Sequence, residues 1–354
     1  MINESLTYAD VLLVPQFSTI RSRKDVDVSQ EFCGQKLKLA VISSNMDTVT
    51  GVEMANAMTN YGAQSALHRF CSIEDNVKMF KDCTNKPMVS IGVGKNELDR
   101  AKALYDAGAE CIIIDVAHGA AIHVVEQYDK LREIVGYNAS VVVGNFDNAA
   151  SIYAFNQHSK AKFEPDAFKV SIGPGSMCTT RIVTGCGGGS ITALQSCATT
   201  GFPIIADGGI TSSGDFAKAL AAGATVVMIG KMFAGTKESL SVSNHIKELQ
   251  IQYPDKNFNN VDFWGSKFKY RGSASMDSYV VQDKVAEHRA PEGEATLVPY
   301  VGPVKNVLQK LEGGLRSSLS YVGARNLDEF RSKAMFVRVT NNTAKESTAH
   351  GVKE

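Results

Sequence analysis

Cysteines at CxxC spacing are missing from this chain, and its seven cysteines are an odd number. That argues against a disulfide framework and against a structural zinc site. The thiols are expected to be reduced and mostly buried, as in a cytoplasmic protein. An excess of either charge is missing too: 37 Lys and Arg balance 37 Asp and Glu. Nothing in that balance points to nucleic acid or to an acidic membrane surface as a partner. Long apolar runs are also absent. The most apolar stretch, "ALAAGATVVMIG", is too short to span a bilayer and is interrupted by glycine. The N-terminal "MINESLTYAD" has neither the basic start nor the apolar run of a secretory signal.

What is present can build a core. Of 354 residues, 44% are hydrophobic and 21% charged. Short β-branched runs recur in order as "LAVISSNMD", "QSALHRF", "PMVSIGVG", "CIIIDVA", "SVVVGN", "AFKVSIG", "PIIADGG" and "VVMIGK". Between them, segments such as "NELDRAKALYDAGA" and "SGDFAKALAAGA" carry apolar residues at helical spacing and end near glycine. Alternating strands and helices imply parallel pairing through right-handed crossovers. Eight such units predict an α/β fold, a closed (β/α)8 TIM barrel. An open doubly wound sheet would carry a glycine-rich turn after its first strand, and "NMDTVTG" is a poor match to one.

Polar residues gather where the runs end: Asn45 and Asp47, His68 and Arg69, Asp115 and His118, Asn145, Ser176 and Cys178, Asp207, and Lys231. In a barrel these ends share one face, where active sites lie. Any one of them could be a satisfied structural group; so many on one rim point to a site. Residues 1–340 are expected to form one barrel domain. Residues 1–37, with "VLLVPQFSTIRSRKDVDVS", read as a strand pair covering its base. Residues 236–300 read as a polar finger or flap inserted after the eighth run, with the only tryptophan, Trp264. The stretch "VKNVLQKLEGGLRSSLSYVGA" reads as a closing helix, and residues 341–354 as a polar, mobile tail.

"IADGGI" and "MIGK" follow the seventh and eighth runs, where barrels often bind phosphate on glycine N–H groups and a helix N-terminus. Asp207, just before Gly208 and Gly209, could hold a ribose diol. The structural alternative is a glycine turn with Asp207 as a helix cap. "GPGSMCTTR" ends the sixth run beside that position. A cysteine on a glycine-bearing rim loop with hydroxyl neighbours can act as a nucleophile, so Cys178 is the candidate. Cys186 lacks such neighbours, and the other five cysteines read as core or incidental. The loop's carbonyls could also coordinate a bare monovalent cation.

Together, "LTYADVLLVP", "NMDTV", "GPGSMCTTRIVTG", "IADGGI", "GDFAKALAAGA" and "MFAGTKES" resemble the IMP dehydrogenase / GMP reductase family. The resemblance runs from about Leu6 to Thr340. It implies a purine nucleoside monophosphate as substrate, a nicotinamide cofactor and a homotetramer. Cys178 would attack purine C2, and hydride would pass between C2 and the nicotinamide. Ser176, Gly208, Gly209 and Gly230 would hold the 5′-phosphate, and Asp207 the ribose; Lys231, where the family has a small residue, could be a direct phosphate ligand or point to solvent. Asp115 and Arg69 would lie on the cofactor side. Carbonyls of Gly173, Gly175 and Cys178 would cradle potassium.

The branch within the family is read from further residues. "HRFCSIEDNVKMFKDCTNKPMVS" leaves no room for the regulatory modules usual in the dehydrogenases. No adjacent Arg-Tyr pair occurs between Tyr270 and Tyr300. "VAEHRAPEGEATLVPYVG", with its core from Arg289 to Gly293, resembles the reductase flap, and Asn45 is the reductase choice. These imply GMP reductase, with NADPH as hydride donor, Thr180 and Glu292 relaying a proton, and Arg289 and Gly293 holding substrate or flap. "TTRIVTG", "IADGGI", "MFAGTKES" and Thr236 read instead like a dehydrogenase, which would use NAD on IMP. Lys231, Ser273 and "GGGS" at 187–190 fit neither branch and leave an altered purine nucleotide as a third reading.

Overall fold

The computed structural model describes residues 4–258, 261, 263–276, 290–340, 343 and 346. The eight apolar runs form eight parallel strands: β1 (Val41–Ser43), β2 (Gln64–Leu67), β3 (Met88–Ile91), β4 (Cys111–Asp115), β5 (Ser140–Phe146), β6 (Ala167–Val170), β7 (Ile204–Asp207) and β8 (Val226–Ile229). Each pairs with the next, and β8 pairs with β1 through Val227–Val41 and Met228–Ile42, closing a (β/α)8 barrel. Residues Ile112, Ile113 and Ile114 of β4 and Val141, Val142 and Val143 of β5 are wholly buried. Strands covered on both faces, by barrel interior and outer helices, read as unbroken apolar runs. The ladder shifts register between β5 and β6, between Gly144 and Phe146. Such a bulge re-aims a side chain, here that of Asn145.

The helix Val304–Val322 closes the fold as expected. Leu308, Leu311, Leu315, Leu319 and Val322 fall three or four residues apart and are all buried. That stripe packs against the helices Val52–Tyr61 and Ser213–Ala221.

The N-terminal stretch differs from expectation. A hairpin does lie at the barrel base, but it is Gln30–Phe32 with Gln35–Leu37. Gln35 accepts a hydrogen bond there from Gln64, the first residue of β2. The "VLL" segment, Val11–Leu13, pairs instead with Phe336–Arg338 from the far end of the chain. Upstream of it the chain climbs to the rim, where Leu6 N–H donates to Thr192 Oγ1 at 2.8 Å and Ser5 Oγ accepts from Gly189 N–H at 2.6 Å.

Within the insertion, the helix Leu240–Gln252 packs on a hairpin of Lys267–Arg271 and Ala295–Pro299. Val242, Phe268 and Tyr300 form a small core separate from the main one, with Phe263 packed against it. Trp264 stacks edge-on against Tyr300. Apart from Thr343 and Glu346, the tail expected at 341–354 lies outside the described residues, as does Arg289.

Candidate active site

The strand ends open into a cavity of about 570 Å³. One wall is built by strands. Lys169 of β6 is buried, and its ammonium lies 2.8 Å from Asp115 of β4 and 2.5 Å from Asp207 of β7. Asn45 donates to Asp115 Oδ2 at 2.8 Å. Asn145 donates to Asp207 Oδ2 at 3.0 Å and to the Ser171 carbonyl at 2.8 Å. Burial acts to raise the Asp115 carboxyl, but the Lys169 charge outweighs it and holds Asp115 below the usual carboxylate range. Asp207 keeps Oδ1 free of hydrogen bonds among the described residues, so this oxygen can accept from a ribose diol.

The opposite wall is the cysteine loop. Cys178 donates from Sγ to Thr180 Oγ1 at 3.1 Å, and Thr180 Oγ1 donates to Glu292 Oε2 at 2.8 Å. These three groups make a continuous proton path from thiol to carboxylate. The loop is held from below by Arg181, which donates to the carbonyls of Ile172, at 3.1 Å, and Gly188. It is held from above by the flap. Thr179 N–H donates to the Glu292 carbonyl at 2.9 Å, and Glu294 N–H to the Met177 carbonyl at 2.8 Å. Gly293, between them, bridges Cys178 on one side and Ser275 on the other. A Cβ there would come within 3.1 Å of both the Met177 carbonyl and Ser275 N. Gly293 therefore lies in the seam between loop and flap, where three backbones meet, and is not among the residues lining the cavity.

The flap hairpin is pinned to the rim by Arg271. Its guanidinium donates to both carboxylate oxygens of Asp47, with Nε 3.1 Å from each, and both side chains are largely buried. Two neighbours along the chain face the cavity: Tyr270, whose hydroxyl lies 3.5 Å from Ser176 Oγ, and Ser273. Ser176, Gly208, Gly209, Gly230 and Lys231 line the same cavity. Gly208 and Gly209 both take positive φ, +85° and +78°, which favours glycine over residues with a side chain. Lys231 is exposed and makes no ion pair among the described residues.

Four buried polar atoms on lining residues have no hydrogen-bond partner among the described residues: Ser44 Oγ, Arg69 Nε, Asn145 Oδ1 and Ser171 Oγ. Buried polar groups are normally paired, so this wall fits a polar ligand. Arg69 and Asp115 both line the cavity. For a cation, the Gly175 carbonyl already accepts from Cys178 N–H at 2.9 Å, while those of Gly173 and Cys178 accept no hydrogen bond among the described residues. Among the described residues no group of three or more His, Cys, Asp and Glu side chains could hold a metal ion.

Other rim residues prove structural or peripheral. His68 Nδ1 accepts from Phe70 N–H at 3.2 Å, and burial pushes its imidazole down to about 4. His118 is exposed and off the cavity wall. Burial holds the thiols of Cys83 and Cys197 up at about 12, as suits inert cysteines. The residues missed from sequence are Lys169, Tyr270 and Arg271. A lysine inside an otherwise apolar strand run, "AFKV", was the available signal for the first.

A closed barrel with a cysteine loop at the end of its sixth strand, faced by a flap carboxylate, defines a narrow class of (β/α)8 proteins. The model of the IMP dehydrogenase / GMP reductase domain matches residues 5–350, and the chain belongs to this family of purine-nucleotide oxidoreductases. The chain is 32% identical to inosine-5′-monophosphate dehydrogenase of Cryptosporidium parvum, over 99% of this chain and 96% of that protein. It is 35% identical to GMP reductase 1 of Homo sapiens, over 95% of each. A cysteine-to-alanine variant of Trypanosoma brucei GMP reductase, in complex with guanosine 5′-monophosphate, superposes with a TM-score of 0.86 at 25% identity, covering 99% of both chains.

Proposed function

We propose that this protein reduces GMP to IMP and ammonia with NADPH, through an adduct between Cys178 and purine C2. The observation that carries the reading is the proton path Cys178–Thr180–Glu292, at 3.1 and 2.8 Å. The thiol proton passes along it to Glu292 as sulfur attacks C2. The 2-amino group needs a proton to leave as ammonia, and Glu292 returns that proton through Thr180. A reduced nicotinamide, on the side of Asp115 and Arg69, supplies the hydride to C2. Cleavage of the C2–sulfur bond then frees IMP and leaves a thiolate, which takes a second proton from solvent to restore the thiol. Asp207 Oδ1 takes the ribose, and Ser176, Gly208, Gly209, Gly230 and Lys231 take the phosphate. Lys231 adds a charge-assisted donor.

The second reading is oxidation of IMP with NAD to XMP. It is favoured by the likeness to the Cryptosporidium dehydrogenase, which the chain nearly spans, so chain length does not separate the two. The deciding assay follows nicotinamide absorbance in two mixtures, GMP with NADPH and IMP with NAD. Loss of NADPH with ammonia release supports reduction. NADH formation without GMP turnover overturns it. Silence in both points to another purine at Ser273 and Lys231. A monovalent cation is part of the proposal, and turnover is expected to be faster in potassium than in sodium. Equal rates in potassium, sodium and a bulky organic cation remove the cation from the site. The reading also takes the protein to be cytoplasmic and tetrameric.

A further inference from the structure

Lys169 is a buried charge on the cavity wall that the chemistry above does not use. Its ammonium touches Asp115 at 2.8 Å and Asp207 at 2.5 Å, and no other cation among the described residues is ion-paired to either carboxylate. Each carboxylate is also held by an amide, Asn45 on Asp115 and Asn145 on Asp207. Asp207 faces the nucleotide ribose and Asp115 the nicotinamide; this assignment rests on the function proposed above. Two carboxylates sharing a buried wall cannot both stay ionised without a cation between them.

The other titratable groups facing this cluster come from three further elements. Arg69, after β2, acts on Asp115; Tyr8, from the N-terminal segment, and Tyr270, from the flap hairpin, act on Asp207. Burial raises both tyrosine hydroxyls, so neither brings a charge. Cys178, Glu292 and Lys231 also line the cavity.

We propose that Lys169 is a positioning residue: it tethers Asp115 and Asp207 as ionised carboxylates, so that the nucleotide and dinucleotide sites share one buried electrostatic anchor. The test compares Lys169→Gln, which removes the charge, with Lys169→Arg, which keeps it. With the charge gone, burial of Asp115 is no longer offset, so its carboxyl takes up a proton in the folded state and its folded pKa rises above the unfolded one. Stability then depends on that proton and is lost as pH rises. The melting temperature of Lys169→Gln is therefore expected to fall well below wild type at about pH 8 and to recover towards it at about pH 5.5. Lys169→Arg should track wild type at both. In turnover near neutral pH, Lys169→Gln should raise KM for both nucleotide and cofactor and lower kcat/KM about 100-fold or more. Lys169→Arg should restore most of it.

A melting deficit in Lys169→Gln that is equal at both pH values overturns the proposal, as does loss of folding at both. So does a KM raised for only one of the two ligands. The melting comparison uses the protein without substrate, so it decides the anchor even if neither GMP nor IMP is turned over.

Discussion

The two walls of the cavity are built on different principles. The Lys169 wall stands on strands: Asp115, Lys169 and Asp207 are fixed by the barrel ladder and by ion pairs and amide donors on several sides. The Cys178 wall stands on a loop and a flap, joined by backbone bonds at Thr179 and Glu294 and pinned by Arg271 on Asp47. In the proposed function the ribose and cofactor carboxylates thus lie on the strand half, and the reacting groups, with Ser176, on the half assembled from segments distant in sequence. Sites on regular elements hold geometry better than sites on loops. The division implies that damage to one wall should be separable from damage to the other.

The sharpest way to break the comparison is Cys178→Ala. It should abolish turnover and leave nucleotide affinity close to wild type, because the phosphate and ribose groups are untouched. Turnover near wild type would place the chemistry elsewhere; titration calorimetry with the nucleotide checks the binding half. Next is Glu292→Gln, which keeps shape but cannot carry the proton. Release of ammonia should slow by about 10²–10⁴-fold. Hydride exchange from labelled NADPH into C2 of IMP, with NADP present, should persist. If exchange and deamination stop together, Glu292 shapes the whole site and relays nothing.

A smaller effect is expected at the pin. Asp47→Asn removes the charge facing Arg271 and loosens the flap, and kcat should fall about 10–100-fold as groups drift by a fraction of an ångström. Nucleotide affinity should hardly change; an unchanged kcat would mean that the aromatic core of the insertion holds the flap unaided. The smallest effect on chemistry belongs to the barrel exterior. Leu315→Ala should lower stability by about 2–5 kcal/mol in denaturant titrations, with kcat/KM of the folded protein unchanged.

All eight strands were legible in the sequence because a parallel barrel writes each as its own apolar run. The Cys178 loop was legible for a different reason: its residues are contiguous. Lys169 was hidden because its purpose appears only when the ends of β4 and β7 bring Asp115 and Asp207 within reach of β6 in space. The Asp47–Arg271 pin joins residues 224 positions apart, and no local pattern marks it. The pairing of Val11–Leu13 with Phe336–Arg338 was missed for the same reason. A three-residue strand has no strong preference of its own, and its partner is chosen by the assembled fold.

The seam at Gly293 works as an interlock. The flap segment that carries Glu292, just before the strand Ala295–Pro299, is hydrogen-bonded through the Glu292 carbonyl and Glu294 N–H to the backbone on either side of Cys178. Lifting the flap therefore withdraws the acid and releases the loop that aims the sulfur in the same movement. An open site is a disarmed one, in which the thiol has lost its proton acceptor.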